Sequence, residues 1–142
     1  MYFRLLNRHD YFEYIQLLNE FRQTDLTHEQ FNKIFNDVCE KGQVWLLINS
    51  ETRKILGTGT IIYETKFIHN GGIVAHIEDI IIKTDEKGKG FGKILLEHLI
   101  LKSKEKKCYK VILNCSPEVS KFYEKCGFTQ KNFQMEIRNL EF

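Results

Sequence analysis

A mixed α/β fold, with a central sheet flanked by about four helices, is predicted by three observations. Short β-branched runs alternate with segments whose apolar residues recur at helical spacing, in the order β-α-α-β-β-β-α-β-α-β. One stretch, His76 to Leu101, runs from an apolar strand through a glycine-rich turn into an apolar helix. At 142 residues the chain is long enough for one core, so residues 1–142 are expected to form a single domain.

Tyr2 to Leu6 is strand-like. Asp10 to Phe21 carries Phe12, Ile15, Leu18 and Phe21 at helical spacing, and Asp10 is expected to cap that helix. Thr27 and Gln30 have the spacing of a capping box before Phe31, Ile34, Phe35 and Val38, and Gly42 is expected to end this second helix. Val44 to Ile48 and Ile55 to Tyr63 read as strands joined by the polar turn Ser50 to Lys54. Lys66 to Gly72 is a loop leading into the central strand, Ile73 to Ile82. The central helix repeats Phe91, Leu95 and Leu99, with Ile94, Ile100 and Leu101 widening the stripe. Tyr109 to Leu113 is a strand. Pro117 opens a last helix through Lys125, Gly127 closes it, and Phe128 to Arg138 supplies a final strand.

Composition narrows the function. Hydrophobic residues make up 42% of the chain, which suits a folded domain rather than a disordered one. A net charge of +2 is too small to argue for nucleic acid as the main partner. No apolar run is long enough to cross a membrane, and the N-terminus does not read as a signal peptide. Cys39, Cys108, Cys115 and Cys126 are scattered, without metal-ligand spacing; they read as reduced, mostly buried thiols of a cytoplasmic protein, and no metal is expected.

Gly88, Gly90 and Gly92 sit at alternate positions before the central helix. They allow a sharp turn in which consecutive N–H groups point one way, toward a helix N-terminus whose dipole favours an anion. Lys87, Lys89 and Lys93 add positive charge, so the expected ligand is a phosphate or pyrophosphate. Lys93 is followed by Ile94 rather than Ser or Thr, which excludes a P-loop, and G-x-G-x-G is not the dinucleotide fingerprint. The bland alternative is a loop that only joins strand to helix.

Lys87, Gly90 and Gly92 resemble the acetyl-coenzyme A turn of the GNAT acyltransferases. His76-Ile77-Glu78-Asp79-Ile80, Cys108 to Leu113, Lys121 to Phe128 and Met135 to Arg138 resemble more narrowly the glucosamine-6-phosphate N-acetyltransferase family. The resemblance covers nearly the whole chain. It implies a GNAT fold, acetyl-CoA as co-substrate, a sugar-phosphate amine as acceptor in UDP-GlcNAc biosynthesis, and a homodimer whose sugar sites draw on both subunits. It implies coenzyme contacts at Ile80, Ile81, Ile82, Gly88, Lys89, Gly90, Phe91, Gly92, Lys93, Tyr123 and Lys125. Tyr123 is placed near the coenzyme sulfur, against the alternative of an ordinary core tyrosine. For the sugar it implies Lys66, Phe67, Ile68, His69, Glu78, Asp79, Ile80, Tyr109, Lys110, Asn114 and Arg138, with Tyr123, Asn114 and Glu78 nearest the chemistry.

Four features bear on that transfer. Adjacent Glu78 and Asp79 point to opposite faces of a regular strand, so only a bulge would bring both to one ligand. His76 reads more readily as a satisfied buried histidine than as a base. Asn114 stands where the family carries Asp or Glu, and the loop Gln23 to Leu26, with Thr24, is shorter than usual. Two other readings stay open: a GNAT enzyme acting on another small amine, or a non-enzymatic acyl-CoA binding module. Lys110 with Arg138 opposes the first, and Tyr123 the second.

Overall fold

A computed structural model describes all residues, Met1–Phe142. Five strands form one sheet in sequential order: β1 (Tyr2–Leu5), β2 (Gly42–Ile48), β3 (Ile55–Thr65), β4 (Ile73–Ile82) and β5 (Lys110–Ile112). The first four are antiparallel neighbours and β5 runs parallel to β4. The helices are α1 (Tyr11–Phe21), α2 (His28–Lys41), the one-turn α3 (Ile68–Gly71), α4 (Phe91–Glu105) and α5 (Ser120–Lys125). The predicted mixed sheet is present, with α3 as one helix more than expected.

Alternation along the strands makes two cores. Leu46, Ile48, Ile55 and Ile81 pack with Tyr14, Leu17 and Phe31 of α1 and α2. Ile61, Ala75 and Ile77 pack on the other face against Leu96 and Leu99 of α4. The crossover through α4 is what allows β5 to lie parallel beside β4. Thr27 Oγ1 accepts from the Gln30 N–H at 3.1 Å and Gln30 Oε1 accepts from the Thr27 N–H at 2.9 Å, so the expected capping box starts α2.

Several expectations need correction. Asp10 makes no cap bond to α1; its carboxylate accepts from the Asn7 N–H at 2.8 Å and from Arg4 at 2.7 and 2.8 Å, because a 3₁₀ turn at Arg8–Asp10 precedes the helix. The α1 stripe is turned: Tyr14 and Leu17 are buried, while Phe12 and Phe21 are exposed. Leu101 is exposed too, since Leu95, Leu96 and Leu99 already fill the face of α4. Gly42 ends α2 in an extended conformation (φ −174°), and what selects glycine is close approach: a Cβ there would lie 2.0 Å from the Ile61 carbonyl oxygen. None of the four thiols is fully buried; Cys39 and Cys115 are exposed, and all four are unbridged. Pro117 opens a 3₁₀ turn, and α5 begins only at Ser120.

The largest departure is the C-terminal segment. Phe128 to Arg138 forms no strand. Its apolar residues alternate as a half-buried strand requires, yet Phe133, Met135 and Ile137 are about nine-tenths exposed. Periodicity states what a segment can pair with, and this segment pairs with neither open edge of the sheet, β1 or β5.

Candidate active site

The centre of the site is a fault in the β3–β4 ladder. Thr58 pairs with Ile81 and Thr60 with Glu78, so Gly59 faces both Asp79 and Ile80. Asp79 adopts a left-handed conformation (φ 51°), which is costly for a residue with a Cβ. The bulge that Glu78 and Asp79 needed is therefore present, and both are exposed. Tyr14 of α1 lies beneath it. Its phenol is pushed up to about 12, chiefly by burial and further by the Asp79 charge.

Beyond the bulge, β4 parts from β5. The parallel ladder holds Val74, Ala75 and His76 against Lys110, Val111 and Ile112, and goes no further. The Lys83 N–H donates to Leu56 O on the β3 side at 2.9 Å. Backbone groups alternate sides along a strand, so those of Ile81 also face β3 while those of Ile80 and Ile82 face the opening. Gly88 and Gly90 then take φ of 80° and 84°, and Gly90 hands over to α4 without a side-chain cap. A cavity of about 320 Å³ lies here, bounded by Ile82, Phe122 and the turn from Glu86 to Lys93. The first N–H groups of α4 are free to meet an anion, and Lys87 adds an unpaired cation. Lys89 is held by Glu86 at 2.8 Å, and Lys93 lies 3.9 Å from Glu97.

On the sheet face away from α4, Ile62, Glu64, His76 and Glu78 line a second, open cavity of about 360 Å³. His76 is not buried as expected; it stands on the rim with Nε2 3.0 Å from Glu64 Oε1. His76 and then Lys66, 3.3 Å from the other oxygen, hold the Glu64 carboxyl below its ordinary range. Lys110 shares this face, since it pairs with Val74, two residues before His76. Tyr109 stands between Lys110, 5.7 Å from its ring, and His69, whose ring centroid is 4.6 Å away. His69 and Asn70 are both left-handed, which swings Phe67 and Ile68 out into solvent.

Tyr123 is half-buried on α5 between Phe122 and Phe128. Burial raises its phenol, and the nearby Cys115 and Cys126 thiols push the same way, so it stays a proton donor well into alkaline solution. Asn114 is exposed just past β5, and Lys125 is exposed at the end of α5. Arg138 is not brought to Lys110 or Tyr109: it pairs with Glu136 at 2.8 Å on the unpaired C-terminal segment. Sequence reasoning missed Glu64, although alternation from Ile62 puts it on the His76 face. Phe122 was missed as well; its adjacency to Tyr123 was the available signal.

The sequence matches the acetyltransferase (GNAT) family model over residues 9–128. The chain belongs to the GNAT acetyltransferase family. GNAT acetyltransferases use acetyl-CoA. Among its relatives is the glucosamine 6-phosphate N-acetyltransferase of Arabidopsis thaliana, 40% identical over 126 residues, 86% of this chain and 85% of that protein. The Candida albicans enzyme of the same name is 35% identical over 140 residues, covering 96% and 94%. The crystal structure of the Arabidopsis thaliana enzyme superposes with a TM-score of 0.90 at 34% identity, over 97% of each chain. The five-stranded mixed sheet with its flanking helices is the GNAT fold.

Proposed function

We propose that this GNAT enzyme transfers acetyl from acetyl-CoA to the 2-amine of D-glucosamine 6-phosphate, giving N-acetylglucosamine 6-phosphate for UDP-GlcNAc biosynthesis in the cytoplasm. The observation that carries the reading is the opening between β4 and β5, with the free backbone of Ile80 and Ile82 running straight into the glycine turn. Added Cβ atoms at Gly88 and Gly90 would meet nothing within 4 Å, so these glycines answer to backbone conformation and leave the anion site open. The relatives bearing this enzyme's name match nearly the full chain.

In this reading the backbone of Ile80, Ile81 and Ile82 holds the pantetheine arm, and an N–H there steadies the carbonyl oxygen as it gains charge. Gly88 to Lys93 bind the pyrophosphate, with Lys125 near the coenzyme. Tyr123 gives a proton or hydrogen bond to the departing thiolate. Glu78, Asp79 and Asn114 hold the amine and sugar hydroxyls. Lys110, Tyr109, Arg138 and the Lys66–His69 loop (with Phe67 and Ile68) receive the sugar phosphate, Arg138 by paired hydrogen bonds.

Arg138 can reach such a site only from another position of its segment, and a second copy of the chain supplies the reason. The exposed Phe133, Met135 and Ile137, the protruding Phe67 and the uncovered face around Ile112 all suit a homodimer that shares its sugar sites.

The test is acetylation of an amine panel (glucosamine 6-phosphate, glucosamine, a polyamine) by wild type and Arg138→Ala. The expected result is preference for glucosamine 6-phosphate and, for that amine alone, about a tenfold loss of kcat/KM in the variant, as for a charge-assisted hydrogen bond of about 1.5–3 kcal/mol. Equal loss with plain glucosamine makes Arg138 structural. Preference for the polyamine overturns the substrate.

A further inference from the structure

Asn114 leaves a role at the opening unfilled. An amide can accept a hydrogen bond from an amine but takes no proton from an ammonium. An imidazole stands beside that opening, that of His76. Its Cα partner Ile112 is the last rung of the β4–β5 ladder, so the imidazole stands where the strands begin to part. Glu78, two residues on, shares its face, and alternation past Ile112 and the inward-packed Leu113 places Asn114 on that face as well.

The tautomer follows from the partner. Glu64 is held ionised, and a carboxylate only accepts, so the neutral ring carries its proton on Nε2 and its lone pair on Nδ1. Nδ1 makes no hydrogen bond within the protein and is not buried. A base oriented by a carboxylate and facing an open cavity is the arrangement that general-base chemistry requires.

We propose that His76, oriented by Glu64, is the proton acceptor for the substrate amine, a further catalytic residue of acetyl transfer in this chain. The proposal rests on the acetyl-transfer reading above, and not on the identity of the sugar. The ammonium proton passes to His76 Nδ1, the freed nitrogen pair forms the N–C bond as the C–S bond breaks, and the acylated nitrogen gives up its second proton to water to leave the neutral amide. Tyr123 protonates the departing thiolate. Glu64 stabilises the imidazolium until it releases its proton to water, and Tyr123 is reprotonated from solvent. The charged and titratable groups on the ring's side of the sheet are Glu64, which contacts it, Lys66, which holds Glu64, Glu78 of the same cavity, and Lys110 of β5.

The experiment is a pH–rate profile for wild type, His76→Gln, Glu64→Gln and His76→Gln/Asn114→Asp, using whichever amine of the panel wild type acetylates. His76→Gln should lose about 10²-fold in kcat near neutral pH, with the difference from wild type shrinking in acid, where an imidazole cannot accept, and in alkali, where the amine is already neutral, and with acetyl-CoA affinity unchanged. Glu64→Gln should show a smaller loss of the same shape, and Asn114→Asp should restore the rate near neutral pH in the double variant. A loss of equal size at every pH overturns the proposal, as does an unchanged profile. Long-range ¹H–¹⁵N spectra of the wild-type imidazole test it without turnover: the Nε2–H tautomer is expected, and an Nδ1–H tautomer overturns it. Wild type acting on a different amine refutes the substrate assignment while leaving this test intact.

Discussion

Gly59 of β3 stands opposite Asp79 of β4 in a rung that also takes in Ile80, so one residue faces two. The same glycine is pressed from the other side by α4: a Cβ on it would lie 2.8 Å from Leu99 Cδ1 and 3.6 Å from Leu95 Cγ. The bulge and a close approach of α4 to the sheet therefore meet at one position. Gly59→Ala should be tolerated with a small cost, because the end of the Leu99 side chain can move. Gly59→Val should cost about 1–3 kcal/mol of stability by overpacking. Urea unfolding monitored by circular dichroism checks this, and equal midpoints for wild type and Gly59→Val would contradict it.

Gly92 separates binding from folding. A Cβ there meets Phe122 at 3.6 Å and Ile82 at 3.9 Å, ordinary contacts, and the residue lies in the first turn of α4. Gly92→Ala should leave stability unchanged or raise it by up to about 1 kcal/mol, since alanine is the better helix former. The same methyl narrows the cavity between the turn and Phe122, so coenzyme A should bind about tenfold more weakly, a difference of about 1.4 kcal/mol. Calorimetry with coenzyme A decides it. Unchanged affinity would remove the cavity from the coenzyme site.

Gly90 should behave differently, because its φ is 84° and its Cβ space is empty. Gly90→Val strains the turn itself and should abolish coenzyme binding while α4 and the sheet remain folded. Retained binding in the folded variant would show that the left-handed turn is dispensable.

Tyr123→Phe should lower kcat by about 10²-fold at every pH up to the alkaline range, with the KM for acetyl-CoA little changed, as expected on losing a positioned proton donor. The direction of the shift sets the shape. Burial first, and then the Cys115 and Cys126 thiols, raise the phenol above its ordinary value, so wild type keeps its donor past the pH at which a free tyrosine ionises. A wild-type rate that fell already at neutral pH through this group would contradict the assignment.

Asp10 supplies a stability test. Burial alone would raise its carboxyl, but the Arg4 hydrogen bonds and the Asn7 N–H outweigh it and the net shift is downward. A lowered folded value means that the Arg4–Asp10 pair stabilises the fold above the unfolded aspartate value of about 3.9, and the gain is lost as pH falls through the lower folded value. Asp10→Asn should therefore cost about 1–2 kcal/mol at pH 7 and little at pH 2. Denaturant midpoints at the two pH values measure it.

Local chemistry was legible without coordinates. The capping box of Thr27 and Gln30, the boundaries of β4 and the left-handed glycine turn each depend on residues within a few positions of one another. The requirement for a bulge at Glu78–Asp79 was legible too, as a condition: two adjacent carboxylates cannot share a face of a regular strand.

What the tertiary structure decided is everything set by a partner distant in sequence. The bulge lies opposite Gly59, where side chains of α4 press on β3. His76 faces a cavity because α1 and α2 cover only the other end of its sheet face, and it meets Glu64 because antiparallel register sets Ile62 against it. Asp10 turned from helix cap to ion pair because Arg4 lies across from it on β1. The C-terminal segment marks the boundary between the two kinds of information. Alternation makes Phe133, Met135 and Ile137 one face of a strand, but a strand exists only where another edge accepts its hydrogen bonds, and this segment pairs with neither open edge of the sheet, β1 or β5.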